Sequence, residues 1–157
     1  MSCELLALAA SHPDEELPIE IHSDSAQFDD KKGTATYLGN VVMQQGSRQL
    51  SSQSLIIKRD NHGKIESMVA KGTPATFQAK PSPEKPLIHG FANIIQFYPN
   101  QDKMILLENA SLTQNEDTLE GDSLTYFVSK HILSSDPVPG KRTTVLITPK
   151  PKSTDLP

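Results

Sequence analysis

The sequence predicts an all-β protein, and three of its features support this prediction. Apolar and polar residues alternate with a period of two in several short segments, the pattern of a strand with one buried face. Those segments are separated by clusters of Asp, Asn, Gly and Ser, the composition of tight turns. No segment between residues 17 and 148 keeps the apolar spacing of an amphipathic helix. We therefore expect a meander of a dozen or more strands, each of about five to eight residues, joined by hairpins.

The expected strands follow one another along the whole chain. In chain order, the alternating residues are Ile19 and Ile21; Ala35, Tyr37, Gly39, Val41 and Met43; Leu55 and Ile57; Ile95 and Phe97; and Leu124, Tyr126 and Val128. Turn compositions separate them at 29–33, 44–47, 60–63, 99–102 and 115–117. The segments 41–43 and 104–107 are apolar on both parities, so we expect both faces of these strands to be partly covered.

An internal repeat is visible at a spacing of 69 residues. The shift aligns 27–58 with 96–127 without a gap, and 8 of the 32 positions are identical. A further slip of one residue places 72–77 on 140–145. A duplicated β unit within one chain predicts an elongated body of stacked layers, each burying a narrow apolar strip.

The composition fits such a thin body and excludes some functions. Of the 157 residues, 36% are hydrophobic and none is Trp, so a deep globular core is not expected. The net charge is −4, with no basic stripe that could follow a phosphate backbone, which argues against nucleic-acid binding. No apolar run approaches the about 20 residues that cross a bilayer as a helix.

The two termini are predicted to lie outside the β domain, which we place at 17–148. Residues 1–10 end in small residues, and Ala7-Leu8-Ala9 matches the pattern before a signal-peptidase cut. We therefore interpret them as the remnant of a secretory signal that begins upstream; a frayed N-terminus is the alternative. Residues 149–157 contain three Pro and are predicted to be a disordered tail. The single cysteine, Cys3, leaves the body without a disulfide or a cysteine metal site.

No motif in the sequence indicates catalysis, a metal or a cofactor. The five histidines lack metal-ligand spacing, and neither a nucleophile elbow nor a phosphate loop is present. Asp29-Asp30 lies before Lys31-Lys32-Gly33 and is interpreted as a turn rather than a carboxylate pair. Lys141-Arg142 is open to two interpretations: a solvated turn, which we favour, or a contact with lipid phosphates at the mouth of a trough.

Ordered motifs over most of the chain resemble the LptA, or OstA-like, family of periplasmic lipopolysaccharide-transport bridge proteins. The matching residues are Pro18-Ile19-Glu20-Ile21-His22-Ser23-Asp24; Gly39-Asn40-Val41 and Gln45-Gly46; Gly72-Thr73-Pro74-Ala75-Thr76-Phe77; Gly90; Asn109-Ala110; Gly121-Asp122; Leu124-Thr125-Tyr126; and Gly140-Lys141-Arg142. Glu108 departs from the pattern, because a Gly is common before Asn109, and this questions the geometry of that turn.

The resemblance implies a twisted, partly open antiparallel β-jellyroll, or β-taco, that binds the acyl chains of lipopolysaccharide inside an apolar fold. It also implies a periplasmic location and head-to-tail assembly of subunits. The implied partners are lipopolysaccharide, further copies of the chain, an inner-membrane transport subunit and an outer-membrane translocon with related folds. Together they would carry lipopolysaccharide from the inner to the outer membrane.

Strand parity then predicts which side chains line the lipid trough. The candidates are Ile19, Ile21, Tyr37, Val41, Met43, Leu55, Ile57, Phe77, Ile95, Phe97, Leu106, Leu112, Leu124 and Tyr126. Inward apolar residues also form the core of any β protein, so each candidate has a purely structural alternative. The main functional alternative is a polymerising adaptor domain that binds no lipid. A small hydrolase and the membrane-anchored relative of the same pathway are less favoured.

Overall fold

The structure is a computed structural model that describes residues 14–80, 84 and 87–149, and these residues form one antiparallel sheet of ten strands. The strands are β1 (Glu20–His22), β2 (Ser25–Asp29), β3 (Thr34–Gln45), β4 (Arg48–Arg59), β5 (Ile65–Ala79), β6 (Ile88–Tyr98), β7 (Lys103–Gln114), β8 (Asp117–Phe127), β9 (Ile132–Ser135) and β10 (Thr144–Leu146). Short 3-10 turns cover Asp14–Glu16 and Pro99–Gln101. The all-β prediction is confirmed. Residues 1–10, the predicted leader remnant, and all but the first residue of the predicted tail 149–157 lie outside the described residues, and the domain bounds 17–148 stay a prediction.

The six long strands, β3 to β8, form a meander in which each pairs with the next along the chain. At one end of the sheet, β1 and β2 both pair with β3, on different parts of its length. At the other end, β9 and β10 both pair with β8. Two short strands therefore form the edge at each end of the described sheet, and their outer hydrogen-bonding groups are not paired within it.

A line of register shifts crosses all six long strands near their middles. The register shifts fall at 38–41 in β3, 51–54 in β4, 71–75 in β5, 91–94 in β6 and 107–110 in β7. Because a bulge bends a strand, a continuous row of bulges bends the whole sheet. This bend line divides the sheet into two halves. Half-sheet one holds 34–38, 54–59, 65–71, 94–98, 103–107 and 123–127, and half-sheet two holds the remaining parts of the six long strands.

Left-handed backbone conformations make the bend in β3 and β7. Gly39 and Asn40 have φ of 82° and 48°, and Glu108 and Asn109 have φ of 66° and 52°. Asp24 fixes the first bend, because its carboxylate accepts a hydrogen bond from the Asn40 amide at 3.0 Å and its own N–H donates to the Gly39 carbonyl at 2.8 Å. Glu108 thus adopts the geometry that the sequence put in question, at a conformational cost that a Gly would avoid.

The strands are longer and fewer than the sequence predicts. The six long strands have 11 to 15 residues each, and ten strands replace the dozen expected. The prediction was wrong because a bulge can interrupt the two-residue alternation without ending the hydrogen-bonded ladder. In β4 the inward residues change from even to odd numbers between Leu50 and Leu55, so the alternation marks only part of that strand, whereas in β3 it runs through the bend from Tyr37 to Met43.

The repeat spacing coincides with the strand bounds. Adding 69 to the limits of β3 gives 103 and 114, the limits of β7, and β8 begins 69 residues after β4. The one-residue slip agrees with the register, since Thr76 pairs with Ser51 and Thr144 pairs with Glu120. The duplication itself stays a prediction.

Candidate functional site

The two half-sheets face each other across an apolar interior. One cluster of buried side chains contains residues from both, such as Val41 and Leu112 from half-sheet two and Leu55 and Leu124 from half-sheet one. The Arg48 guanidinium carbon of half-sheet two lies 6.0 Å from the centre of the Phe97 ring of half-sheet one. The sheet is therefore folded at the bend line, which we call the spine, so that the inner faces of its two halves pack together.

An open cleft of about 880 Å³ lies between the free margins of the half-sheets. We call these margins the lips. Lip one consists of the β4–β5, β6–β7 and β8–β9 turns, and it contributes residues such as Lys64, Asn100 and Ser129. Lip two consists of the ends of β3 and β5 and the beginnings of β4 and β6, and it contributes residues such as Gln45 and Ile88. The cleft thus opens away from the spine, between turns that are distant in sequence.

All fourteen side chains predicted to line a trough lie in or against this interior cluster. Nine are buried in the cluster itself: Val41, Met43, Leu55, Ile57, Ile95, Leu106, Leu112, Leu124 and Tyr126. Five are partly buried and pack against it: Ile19, Ile21, Tyr37, Phe77 and Phe97. The parity argument therefore identified the inward face correctly.

Sequence reasoning missed a second set of inward residues. They are Leu50, Met68, Ala70, Ala75, Ile88, Ala92, Met104 and Ala110, all buried in the same cluster. Four of them are alanines, whose small side chains give a weak alternation signal. Leu50 could have been found from parity, because its neighbours Gln49 and Ser51 are both polar. Met68 gives a weaker signal, because Val69 beside it is also apolar.

The deep part of the cleft is nearly closed by its own side chains. A cavity of about 40 Å³ is lined by residues of both half-sheets, among them Met43, Met68, Met104, Phe77 and Phe97. Methionine side chains are unbranched and adapt to irregular space, so a wall built from three of them can be rearranged. The interior is therefore packed in this state and open only near the lips.

The N-terminal segment is fastened to lip two. The Asp14 carboxylate accepts hydrogen bonds from the Ser47 N–H at 3.1 Å and the Ser47 hydroxyl at 2.5 Å. The Gln45 side-chain amide donates to the Leu17 carbonyl at 3.0 Å. Gly46 in the β3–β4 turn has φ of 59°, a left-handed conformation that favours glycine, and a Cβ there would lie 2.9 Å from the Leu17 Cδ1. Leu17 and Ile19 thereby become part of the cleft wall.

Lip one carries a polar group of side chains beside the apolar wall. The Asp102 carboxylate accepts hydrogen bonds from the Ser129 N–H, at 3.0 Å, and from the Ser129 hydroxyl. The Tyr126 hydroxyl lies 3.2 Å from His131 Nδ1. Burial raises the pKa of the Tyr126 phenol, and the nearby Asp102 carboxylate raises it further. Tyr126 thus remains neutral and serves as an apolar wall with one polar tip.

Several features that the sequence singled out lie away from the cleft. Lys141 lies near the spine, with its ammonium 3.8 Å from the Asp122 carboxylate, and neither Lys141 nor Arg142 lines the mouth. This agrees with the solvated interpretation that we favoured. Among the residues that the structure describes, no three His, Cys, Asp or Glu side chains are grouped so as to hold a metal ion. Within the same ranges, no helix is both long and apolar enough to cross a membrane.

Comparison with known proteins gives matches over most of the chain. Residues 20–132 match the family model described as LptA/(LptD N-terminal domain) LPS transport protein. The lipopolysaccharide export system protein LptH of Pseudomonas aeruginosa is 34% identical over 88% of this chain and 78% of its own length. The lipopolysaccharide export system protein LptA of Escherichia coli K12 is 31% identical over 90% of this chain and 80% of its own length.

A solved structure shows the same fold. The crystal structure of LptH, described as the LptA-homologous periplasmic component of the conserved lipopolysaccharide transport device of Pseudomonas aeruginosa, superimposes with a TM-score of 0.79 at 31% identity. The match covers 88% of this chain and 100% of that one. The β-jellyroll that the motifs implied is therefore confirmed, and the chain belongs to the LptA/LptD N-terminal-domain family of lipopolysaccharide transport proteins.

Proposed function

We propose that this protein is a periplasmic carrier and bridge subunit that binds the acyl chains of lipopolysaccharide in the cleft and passes the lipid from the inner to the outer membrane. The observation that carries the proposal is the cleft itself, which is open between the lips and walled by inward apolar residues of both half-sheets. Membership of a lipopolysaccharide transport family supports the same function. The named relatives are export proteins, and we propose a role without catalysis here as well.

The physical task of such a carrier explains the shape of the site. Each methylene of an acyl chain that leaves a lipid environment for water costs about 0.8 kcal/mol, so a lipid with several chains cannot cross an aqueous space unshielded. A folded sheet supplies a shield along its whole length, because alternate side chains of every strand point to the same side. The fourteen predicted trough residues are, in this proposal, the surface that contacts the chains.

Loading requires the interior to open. A cavity of about 40 Å³ is little more than the space of one water molecule, so the deep wall must move apart to admit acyl chains. Met43, Met68 and Met104 are the side chains best suited to rearrange, and Phe77 and Phe97 stand nearer the open part of the cleft. In the empty protein these residues act as core, and in the loaded protein they contact lipid.

The two sheet ends fit the bridging role. Phe28 of β2 pairs with Ala35 on the inward face and is 69% exposed, while Val145 of β10 pairs with inward Leu119 and is 56% exposed. The apolar strip thus reaches both ends of the sheet, where edge strands are available for strand addition. A second copy, an inner-membrane subunit or an outer-membrane translocon with a related fold would extend the strip at either end.

Photo-crosslinking tests lipid contact directly. A photoreactive amino acid at Phe77 or Phe97 should capture lipopolysaccharide in cells, because both side chains line the cleft. The matched control is Ile56, which is 41% exposed on the outer face of half-sheet one and should give no adduct. Normal oligomers without any lipid adduct at Phe77 and Phe97 would contradict the carrier function and favour a polymerising adaptor domain.

A further inference from the structure

Strand β4 places an arginine on each lip of the cleft. Its inward face carries Arg48, Leu50, Leu55, Ile57 and Arg59 in order, and the bend lies between Leu50 and Leu55. Both arginines line the cleft, and the leucines and isoleucine between them are buried in the interior cluster. Among the six long strands, only β4 carries a cation at both ends of its inward face.

A third cation stands beside Arg59. Arg59 pairs with Ile65 at the start of β5, and Lys64 immediately precedes Ile65 and lines the cleft too. Within the described residues, neither the Arg59 guanidinium nor the Lys64 ammonium makes a hydrogen bond or an ion pair. Asp60, the acid of this turn, is occupied by the backbone, because its Oδ1 accepts from the His62 N–H at 2.8 Å and the Lys64 N–H at 3.0 Å.

The described side chains that line the cleft include more cations than carboxylates, whereas the whole chain has more acidic than basic residues. The whole protein has 19 acidic and 15 basic side chains, whereas the described residues that line the cleft include three cations, Arg48, Arg59 and Lys64, and two carboxylates, Asp14 and Asp102. Both carboxylates accept hydrogen bonds from neighbouring serines, Ser47 and Ser129, which partly satisfy them. Arg59 and Lys64, whose charged groups make no hydrogen bond or ion pair within the described residues, therefore lie at the mouth of the cleft beside an apolar interior.

An apolar interior with cations at its mouth is complementary to an anionic amphiphile. From this geometry we infer that Arg59 and Lys64, facing Arg48 across the mouth, bind the phosphate groups on the sugar side of the acylated lipid. Phosphate accepts charge-assisted hydrogen bonds from guanidinium and ammonium groups, which are stronger than those between neutral groups. The inference rests on the proposed function, and it adds that the headgroup is recognised at the lips rather than left in solvent.

The two arginines have different parts in this arrangement. Arg48 packs over the Phe97 ring and its guanidinium lies 3.5 Å from the Gln45 side-chain oxygen, so it is held in place before the ligand arrives. Arg59 and Lys64 are exposed and can adjust to the headgroup. Arg48 is also part of the deep wall, and its replacement would disturb lipid binding for reasons other than charge.

The test therefore removes only the charges on lip one. In the variant Arg59→Gln/Lys64→Gln, the affinity for a bis-phosphorylated lipid A should fall about fivefold, the loss expected for two exposed charged contacts. The affinity for the same lipid without phosphates should not change. Both affinities are measured on the full chain by displacement of a fluorescent fatty acid. The control Lys58→Gln/Lys71→Gln removes two cations from the outer face of the same half-sheet and should leave both affinities unchanged.

The outcomes separate this inference from the proposed function. If the unmodified protein binds neither lipid, the carrier function fails and the inference fails with it. If it binds both lipids and the lip variant loses neither or both equally, the carrier function stands and the headgroup contact is wrong. Titration with inorganic phosphate distinguishes the source of the anion: saturable binding of free phosphate that depends on Arg59 and Lys64 would overturn the assignment to a lipid headgroup.

Discussion

At the scale of single residues, burial divides side chains of the same type into two groups. Leu106 of β7 is fully buried in the interior, whereas Leu38 of β3 is 50% exposed on the outer face. A buried leucine loses both its transfer free energy and its neighbours' contacts when it is truncated, and an exposed one loses little. The inward residues of this protein therefore stabilise the empty state even though we propose that they also contact lipid.

Truncation of one inward leucine should show this structural part. Leu106→Ala should lower the free energy of unfolding by about 3 kcal/mol, because it leaves a cavity between the half-sheets. Leu38→Ala should change it by less than about 1 kcal/mol. Urea denaturation of both variants measures the difference. Equal effects would mean that the interior is too loosely packed for single residues to matter.

At the scale of elements, the bend of each strand depends on a few backbone positions. Gly39 in β3 and Glu108 in β7 occupy equivalent places in the proposed repeat, and both have positive φ. A Cβ on Gly39 would collide with the Asp24 carboxylate, so glycine is required there both for space and for conformation. Glu108 has a Cβ and holds the same conformation at a cost that the surrounding ladder offsets.

The cost at Glu108 predicts a stabilising substitution. Glu108→Gly should raise the free energy of unfolding by roughly 0.5 kcal/mol, because relief of the left-handed conformation exceeds the added freedom of the unfolded chain. Glu120→Gly, at an exposed strand position without positive φ, should lower it. Differential scanning calorimetry compares the two melting temperatures. A fall for both variants would show that the β7 bend is not strained.

At the scale of the whole molecule, the sheet has two different ends. Edge strands β1 and β2 stand at one end and β9 and β10 at the other, so a contact between copies joins unlike surfaces. Contacts of this kind do not close on themselves and produce chains of subunits. An exposed, inward-facing apolar residue lies at each end, Phe28 and Val145, and each would be covered in such a contact.

Head-to-tail assembly can be tested by blocking one end at a time. Light scattering of the unmodified protein should show a mass that grows with concentration. Phe28→Lys and Val145→Lys should each give monomers, because a charge at an edge opposes strand addition. A mixture of the two variants should form a heterodimer that does not grow further, since one intact end of each remains. Symmetric dimers of either variant alone would contradict this arrangement.

The individual strands could be predicted from the sequence, but their arrangement could not. The alternation of residues by itself determined the all-β class and the inward face, because the pleat of a strand is a local property with a period of two. Turn composition located five of the connections between strands. The alternation therefore placed all fourteen trough candidates correctly on the interior side. It recognised only part of β4, because the inward residues change from even to odd numbers between Leu50 and Leu55 across the bulge.

The closure of the sheet was decided only by the tertiary structure. The bulges form one bend line because the pairing register brings them side by side, and this alignment cannot be inferred from any one segment of the sequence. The same register brings Arg48 and Arg59 to opposite lips and leaves Lys141 near the spine. The cleft, the lips and the free edges depend on contacts between strands that are distant in the chain, and the local pattern of residues does not predict these contacts.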